Sequence, residues 1–256
     1  MVRVMTWNIR TGVGNDPTSP GKRTPPDLER IARVIQTVNP DIVALQEVDR
    51  GRERTLGVDQ PEFLGGLLRM DYRYGPNLVD DEGEYGIAIL TPHPVRAFHH
   101  ELLPGVSGWE PRGYIEAVID IPGAEQVTVV NTHLQVAFGE GEDEAARQRR
   151  ESSAIVAQRV LEAEGPALLT GDFNAEPTVG DLDALSALED AWISVGSESG
   201  GKTFPATPFG DPETRIDAVF VNSRFRVEDC RVLRDEETAL ASDHYPVVVE
   251  LGILES

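Results

Sequence analysis

The chain is organised by one recurring pattern: apolar runs of strand length that stop at a pair of polar groups. The sharpest is Ala167-Leu168-Leu169-Thr170-Gly171-Asp172-Phe173-Asn174. Such a run closed by Gly reads as a buried strand feeding a turn. Residues i and i+2 of extended chain point the same way, so Asp172 and Asn174 offer a carboxylate and an amide to one place. Alone, Gly-Asp-x-Asn also fits a plain turn in which Asp and Asn bond their own backbone. Met5-Thr6-Trp7-Asn8, Val43-Ala44-Leu45-Gln46-Glu47, Val129-Val130-Asn131-Thr132-His133 and Ala241-Ser242-Asp243-His244 repeat the pattern, and the run after Arg215-Ile216 carries its acid, Asp217, at its start. Polar clusters on strand-like runs from one end of the chain to the other ask for a common pocket.

Between these runs lie helical signals. Leu28, Ile31, Ile35 and Val38 form one apolar face, with Thr24-Pro25-Pro26-Asp27 as its opening and Asn39-Pro40 as its stop. Further helices are expected over 60–70, over 142–164 with Ile155 and Leu161 on its apolar face, and over 178–188. The stretch 11–26 reads as loop, as do 50–55 and 194–213. Strands alternate with these elements, and no interdomain linker or repeat interrupts them. The expectation is a single domain over residues 1–256, an α/β or α+β sandwich.

Acids outnumber bases 44 to 23, a net charge of −21. Such a surface repels nucleic-acid backbones and anionic membranes at long range, but leaves room for a small anionic substrate in a locally basic pocket. No apolar run is long enough to cross a bilayer. The first residues enter a strand directly, without the regions of a signal peptide, so a cytoplasmic location is expected. The single cysteine, Cys230, reads as a packing residue.

Glu47, Asp172, Asp217 and Asp243, the amides of Asn8 and Asn174 and the imidazoles of His133 and His244 form a donor set without thiolates. Carboxylates and amides suit a hard divalent cation, Mg²⁺ or alternatively Mn²⁺. Histidines beside it suit hydrogen bonding to a charged oxygen. The set points to phosphoester hydrolysis rather than acyl transfer, because no Gly-x-Ser-x-Gly elbow is present.

Seven motifs occur in order: Thr-Trp-Asn-Ile, Leu-Gln-Glu-Val, Tyr-Gly-Ile-Ala-Ile-Leu, Asn-Thr-His-Leu, Gly-Asp-Phe-Asn, Arg-Ile-Asp and Ser-Asp-His. Together they resemble the endonuclease/exonuclease/phosphatase superfamily over nearly the whole chain. The resemblance implies a deoxyribonuclease-I-like four-layer sandwich, two packed mixed β-sheets flanked by helices. It implies Glu47 as the principal metal-binding carboxylate, with Asn8 and Asp243 beside the metal. Asp172 would orient or deprotonate the attacking water, and Asn174 would hold that water or a phosphate oxygen. His244, backed by Asp217, and His133 would face the phosphate. Tyr85 falls where the abasic-endonuclease branch carries an active-site tyrosine; a half-buried strand tyrosine is the plainer alternative. Arg112 is a candidate substrate-phosphate contact, with a surface salt bridge as its alternative.

Val48-Asp49-Arg50 after Gln46-Glu47 departs from the abasic endonucleases and is similar to the compact bacterial hydrolases of the superfamily. With the acidic surface, this favours a small or soluble phosphoester, mono- or diester, over polymeric DNA or RNA. A nuclease with a locally basic groove and a lapsed interaction module are the alternatives. A monomer is the default expectation.

Overall fold

The computed structural model describes residues 1–123, 126–137, 141–178, 180–195 and 201–254. In chain order these form β1 (Val2–Asn8), β2 (Val13–Asn15), β3 (Arg23–Pro26), α1 (Leu28–Val38), β4 (Ile42–Arg50), α2 (Gln60–Leu68), β5 (Asp71–Asp80), β6 (Gly83–Thr91), β7 (Val95–Leu102), β8 (Gly113–Asp120) and β9 (Gln126–His133). There follow α3 (Glu142–Leu161), β10 (Ala167–Asp172), β11 (Glu189–Asp190), α4 (Ala191–Val195), β12 (Asp217–Val221), β13 (Phe225–Val232), α5 (Glu236–Ala241) and β14 (Val247–Ile253).

One six-stranded sheet has the order β13-β14-β1-β4-β6-β5, and a second has β11-β12-β10-β9-β8-β7. Both are mixed: β1 runs parallel to β4 and antiparallel to β14, and β10 runs parallel to β9 and antiparallel to β12. Side-chain alternation along the strands builds the layers. Val2 and Val4 of β1, Ile42 of β4 and Ile87 and Ile89 of β6 meet Ile115 and Ala117 of β8, Val129 of β9 and Leu168 of β10 between the sheets. The intervening residues face outward. Met5, Trp7, Val43 and Leu45 pack under Ile31 and Ile35 of α1 and Leu64 of α2. On the other side Val130, Leu169 and Phe220 pack against Val156 and Val160 of α3. Helix, sheet, sheet and helix make the four layers.

Towards the C-terminal ends of β1, β4 and β9 the inter-sheet positions turn polar. Gln46 Nε2 donates to Asn131 Oδ1 at 2.7 Å and to Thr6 Oγ1 at 3.0 Å. Asn131 Nδ2 donates to the carbonyls of Leu45 and Ala88 at 3.0 Å each. All three side chains are fully buried, so these bonds tie one sheet to the other where apolar packing ends.

Several local expectations change. The stretch 11–26 contains the β2–β3 hairpin, which its prolines disguise because Pro survives on edge strands. The cap of α1 is Asp27, whose side chain accepts from the Arg30 N–H, not Thr24. On α3, Ile155 and Leu161 are exposed, and Ala145, Ser152, Val156 and Val160 make the buried face. The expected helix over 178–188 is a 3-10 segment, Gly180–Ala187; Val179 and part of the 194–213 loop, 196–200, lie outside the described residues.

Replacing Asn131 by Ala removes a partner from the Leu45 and Ala88 carbonyls and one of the bonds of the Gln46 amide in the core. At about 1–3 kcal/mol per orphaned group, urea titration is expected to show a loss of at least about 3 kcal/mol, with little change in the slope of the transition.

Candidate active site

The site is assembled by strand register at one rim of the sandwich. In the second sheet Asp172 lies directly between His133 on β9 and Asp217 on β12. In the first, Asn8 stands beside Gln46. Gly171 permits this: a Cβ there would sit 2.2 Å from the Thr132 carbonyl oxygen, so no other residue lets β10 approach β9 this closely.

Glu47 reaches the rim through a bulge. Leu45 opposes Ala88 and Val48 opposes Gly86, which leaves Gln46 and Glu47 across from Ile87 alone. Glu47 takes a left-handed backbone, φ 55°, and Asn174 another, φ 51°. Asn tolerates that region through local hydrogen bonding; for Glu it is strain kept at a site that needs the side chain there.

Asn8 is the hub. Its Nδ2 donates to Glu47 Oε1 and to Asp172 Oδ2, both at 2.9 Å, and its Oδ1 accepts the Arg10 N–H at 3.0 Å. Asp172 Oδ1 accepts the Asn174 N–H at 2.9 Å. Both imidazoles aim Nε2 at the same Asp172 oxygen, His133 from 3.5 Å and His244 from 3.7 Å.

The two histidines differ in charge. Burial alone pushes His244 down, but Asp217 and Asp172 outweigh it and raise its pKa to about 10. Its Nδ1 lies 2.8 Å from Asp217 Oδ2, so the imidazolium is held on both sides. His133 is driven well below 6.5, by burial first and then by the Arg112 guanidinium and His244. Arg112 Nη1 lies 3.1 Å from His133 Nδ1. Arginine only donates, and the Asn174 amide nitrogen lies 3.0 Å from Nε2 and also donates to the Leu134 carbonyl, so both ring nitrogens of the neutral His133 face donors. Burial, opposed by the His244 charge, raises Asp172 from 3.8 to about 7.

Arg112 is 4% exposed, so it is not the surface salt bridge that its flanks allowed. It also pairs with Glu110 at 2.7 Å. Tyr85 is buried against it, and its phenol is pushed well above 10, by desolvation and then by Glu47. Both line an open cleft of about 510 Å³ with Glu47, His133, Asp172, Asn174, Asp243 and His244. Of the ten residues singled out, Asn8 and Asp217 lie just behind that lining, bonded to Asp172 and His244. The cleft adds Arg10, Arg23, Arg54, Glu110 and Phe204, which the strand-end pattern missed. Arg10 follows two residues after Asn8 and was within reach of that motif; Arg23 and Phe204 lie on segments with no local signal.

The donor set fits a hard cation. Desolvation raises the pKa of Glu47 and the nearby Asp243 carboxylate raises it further, a repulsion that a metal relieves. Ligand atoms of Asp172, Asp217 and His244 also lie within 4.8 Å of one another. By distance alone they could hold a metal, but Asp217 is already bonded to the His244 imidazolium, whose charge opposes a cation.

The fold and its rim of converging acids and histidines define a deoxyribonuclease-I-like sandwich. A model of the Endonuclease/Exonuclease/phosphatase family matches residues 5–244, and the chain belongs to that family. The uncharacterized protein YbhP of Escherichia coli K12 is 29% identical over 264 residues, spanning 98% of this chain and 96% of YbhP. An endonuclease/exonuclease/phosphatase from Beutenbergia cavernae is 29% identical with a TM-score of 0.80, covering 99% of this chain and 72% of that one. A mannosyl-6-phosphatase from Bacteroides thetaiotaomicron is 24% identical with a TM-score of 0.76, covering 99% and 100%. No helix among the described residues is long and apolar enough to cross a membrane.

Two predictions follow from strain and charge. Glu47→Gly removes a left-handed non-glycine and a repelled carboxylate, so the metal-free protein is expected to gain about 1 kcal/mol in urea titrations. The raised His244 pKa contributes stability that is complete below about pH 6.5 and lost as pH rises through about 10. The gap in Tm between wild type and Asp217→Asn is therefore expected to be wide at pH 6 and to narrow by pH 10.5; an equal gap at both would remove charge as its cause.

Proposed function

We propose that this protein is a divalent-metal-dependent phosphoester hydrolase acting on a small, soluble phosphomonoester or phosphodiester by attack of an activated water on phosphorus. The observation that carries the reading is one buried carboxylate, Asp172, onto which Asn8 and both histidines converge from opposite sheets.

Glu47 and Asp243 would hold the cation, with Asn8 orienting Glu47. Mg²⁺ fits this oxygen set, and Mn²⁺ is the alternative. When bound, the metal supplies Lewis-acid stabilisation of charge on the phosphoryl oxygens. Asp172, with its raised pKa, takes the proton of the attacking water, and Asn174 positions that water. The new bond forms between the water oxygen and phosphorus, and the ester P–O bond breaks. The His244 imidazolium donates to the phosphoryl oxygens as their charge grows, and the neutral His133 faces them from the other side of Asp172. Arg112 helps keep His133 neutral and brings positive charge to the cleft, and Tyr85 stays a neutral phenol beside it.

A small substrate suits a cleft of about 510 Å³ in a chain of charge −21, because a nuclease gains much of its affinity from basic surface along the strand. The likeness in fold to a mannosyl-6-phosphatase is compatible with this end of the family's range.

Hydrolysis of p-nitrophenyl phosphate and bis(p-nitrophenyl) phosphate tests the reading. Turnover is expected with Mg²⁺ or Mn²⁺ and not with EDTA. Asp172→Asn and His244→Ala are each expected to lower kcat by at least about a hundredfold. Turnover that survives EDTA, or full activity of Asp172→Asn, would sink the mechanism; rapid cleavage of plasmid DNA at moderate salt would overturn the substrate class.

A further inference from the structure

We propose that Arg23 forms a second anion subsite at the rim of the cleft, so that the favoured substrate is a phosphoester carrying another phosphate or carboxylate a short linker away. The proposal rests on the hydrolase reading for the first phosphate and adds the chemistry of the rest of the molecule.

Four arginines line the cleft: Arg10, Arg23, Arg54 and Arg112. Three are committed to protein partners. Arg10 pairs with Asp243 at 3.0 Å. Arg54 grips Asp49 through two bonds of 2.7 Å and lies 5.2 Å over the Tyr85 ring. Arg112 serves Glu110 and His133. The Arg23 side chain makes no hydrogen bond, ion pair or ring contact with any described residue, although the chain holds 44 acids for 23 bases. The acid of its own hairpin, Asp16, is taken by Lys22 at 2.6 Å.

Arg23 is also placed rather than loose. Its backbone pairs with Asn15 across the β2–β3 hairpin. Asn15 Nδ2 sits 3.0, 2.8 and 2.9 Å from the carbonyls of Ala206, Ala239 and Ser242, the last next to Asp243 and His244. Gly14 packs so tightly on Leu240 that a Cβ would lie 2.1 Å from its carbonyl oxygen. The hairpin is thus fastened to the segment that carries Asp243 and His244. A guanidinium held there with its five donors unspent matches the two oxygens of a phosphate or carboxylate. The groups around Asp172 serve the reacting phosphate, which leaves Arg23 for a different anion on the same molecule. One free arginine in an acidic surface selects one extra group, not a polymer.

The test compares propylphosphonate with propane-1,3-bisphosphonate, whose C–P bonds resist hydrolysis. Both are titrated calorimetrically into the protein at one fixed free Mg²⁺ concentration. Wild type is expected to bind the bisphosphonate about tenfold tighter, about 1.4 kcal/mol. Arg23→Gln should lose most of that preference and Arg23→Lys should keep part of it. Arg150→Gln, an exposed position on α3 outside the cleft, should keep all of it. Equal affinities in wild type, a preference that survives Arg23→Gln, or failure of both compounds to bind would each overturn the subsite. Nitrophenyl ester turnover is measured in parallel. A preference without turnover would remove the hydrolase reading and leave the subsite, and turnover without a preference would do the reverse.

Discussion

The whole arrangement depends on what happens where the apolar gap between the two sheets runs out. Carboxylates and imidazoles buried at the rim of a sandwich are stable only if every one finds a partner. Gln46, Asn131 and Thr6 make the first layer of partners and fix the two sheets against each other. Asn8 makes the second, bonding Glu47 from its own sheet and Asp172 from the other. A shift of one sheet by a single residue would turn Asp172 and His133 to the outer face, because side chains alternate. The packing that stabilises the sandwich and the geometry of the site are therefore one constraint.

Two histidines at similar distances from one carboxylate might be expected to behave alike. Their neighbours separate them. His244 is set between Asp217 and Asp172 and holds its proton, whereas His133 faces a guanidinium and remains neutral. The rim thus carries one cationic and one neutral imidazole on the two sides of Asp172. Burial raises the pKa of Asp172 to about 7 against the pull of the single His244 charge.

Much of this was legible in the sequence. Apolar runs ending in Asn8, Glu47, His133 and Asp172 marked parallel neighbours whose C-terminal ends share a rim, and polar residues at such ends have no packing reason to recur. The sandwich followed from strands alternating with outer helices, and its four layers from the family resemblance. What escaped was set by tertiary context. The amphipathic pattern of α3 misleads because Arg149 and Gln148 are buried and Ile155 is not; polar partners on the loops beside it reverse the apparent face. The hairpin at β2–β3 hides in a Pro- and Gly-rich stretch, and with it the position of Arg23. The bulge that turns Glu47 inward leaves no residue signature, since Glu is among the residues least suited to its backbone.

The distribution of arginine follows the same logic as the carboxylates. In a chain so acidic, a cation remains uncommitted only where the backbone keeps it away from acids. Arg10, Arg54 and Arg112 are each tied to a carboxylate, and those bonds orient them without leaving a full charge for solvent. They shape the cleft and tune His133 and Tyr85, but offer a ligand little unshared charge. Arg23 is held on a hairpin whose own acid is already paired. Long-range repulsion from the acidic body and short-range attraction at this rim act on different length scales, the first screened beyond about 8–10 Å by salt. On the proposed reading, their combination would discriminate against extended polyanions while still receiving a compact one.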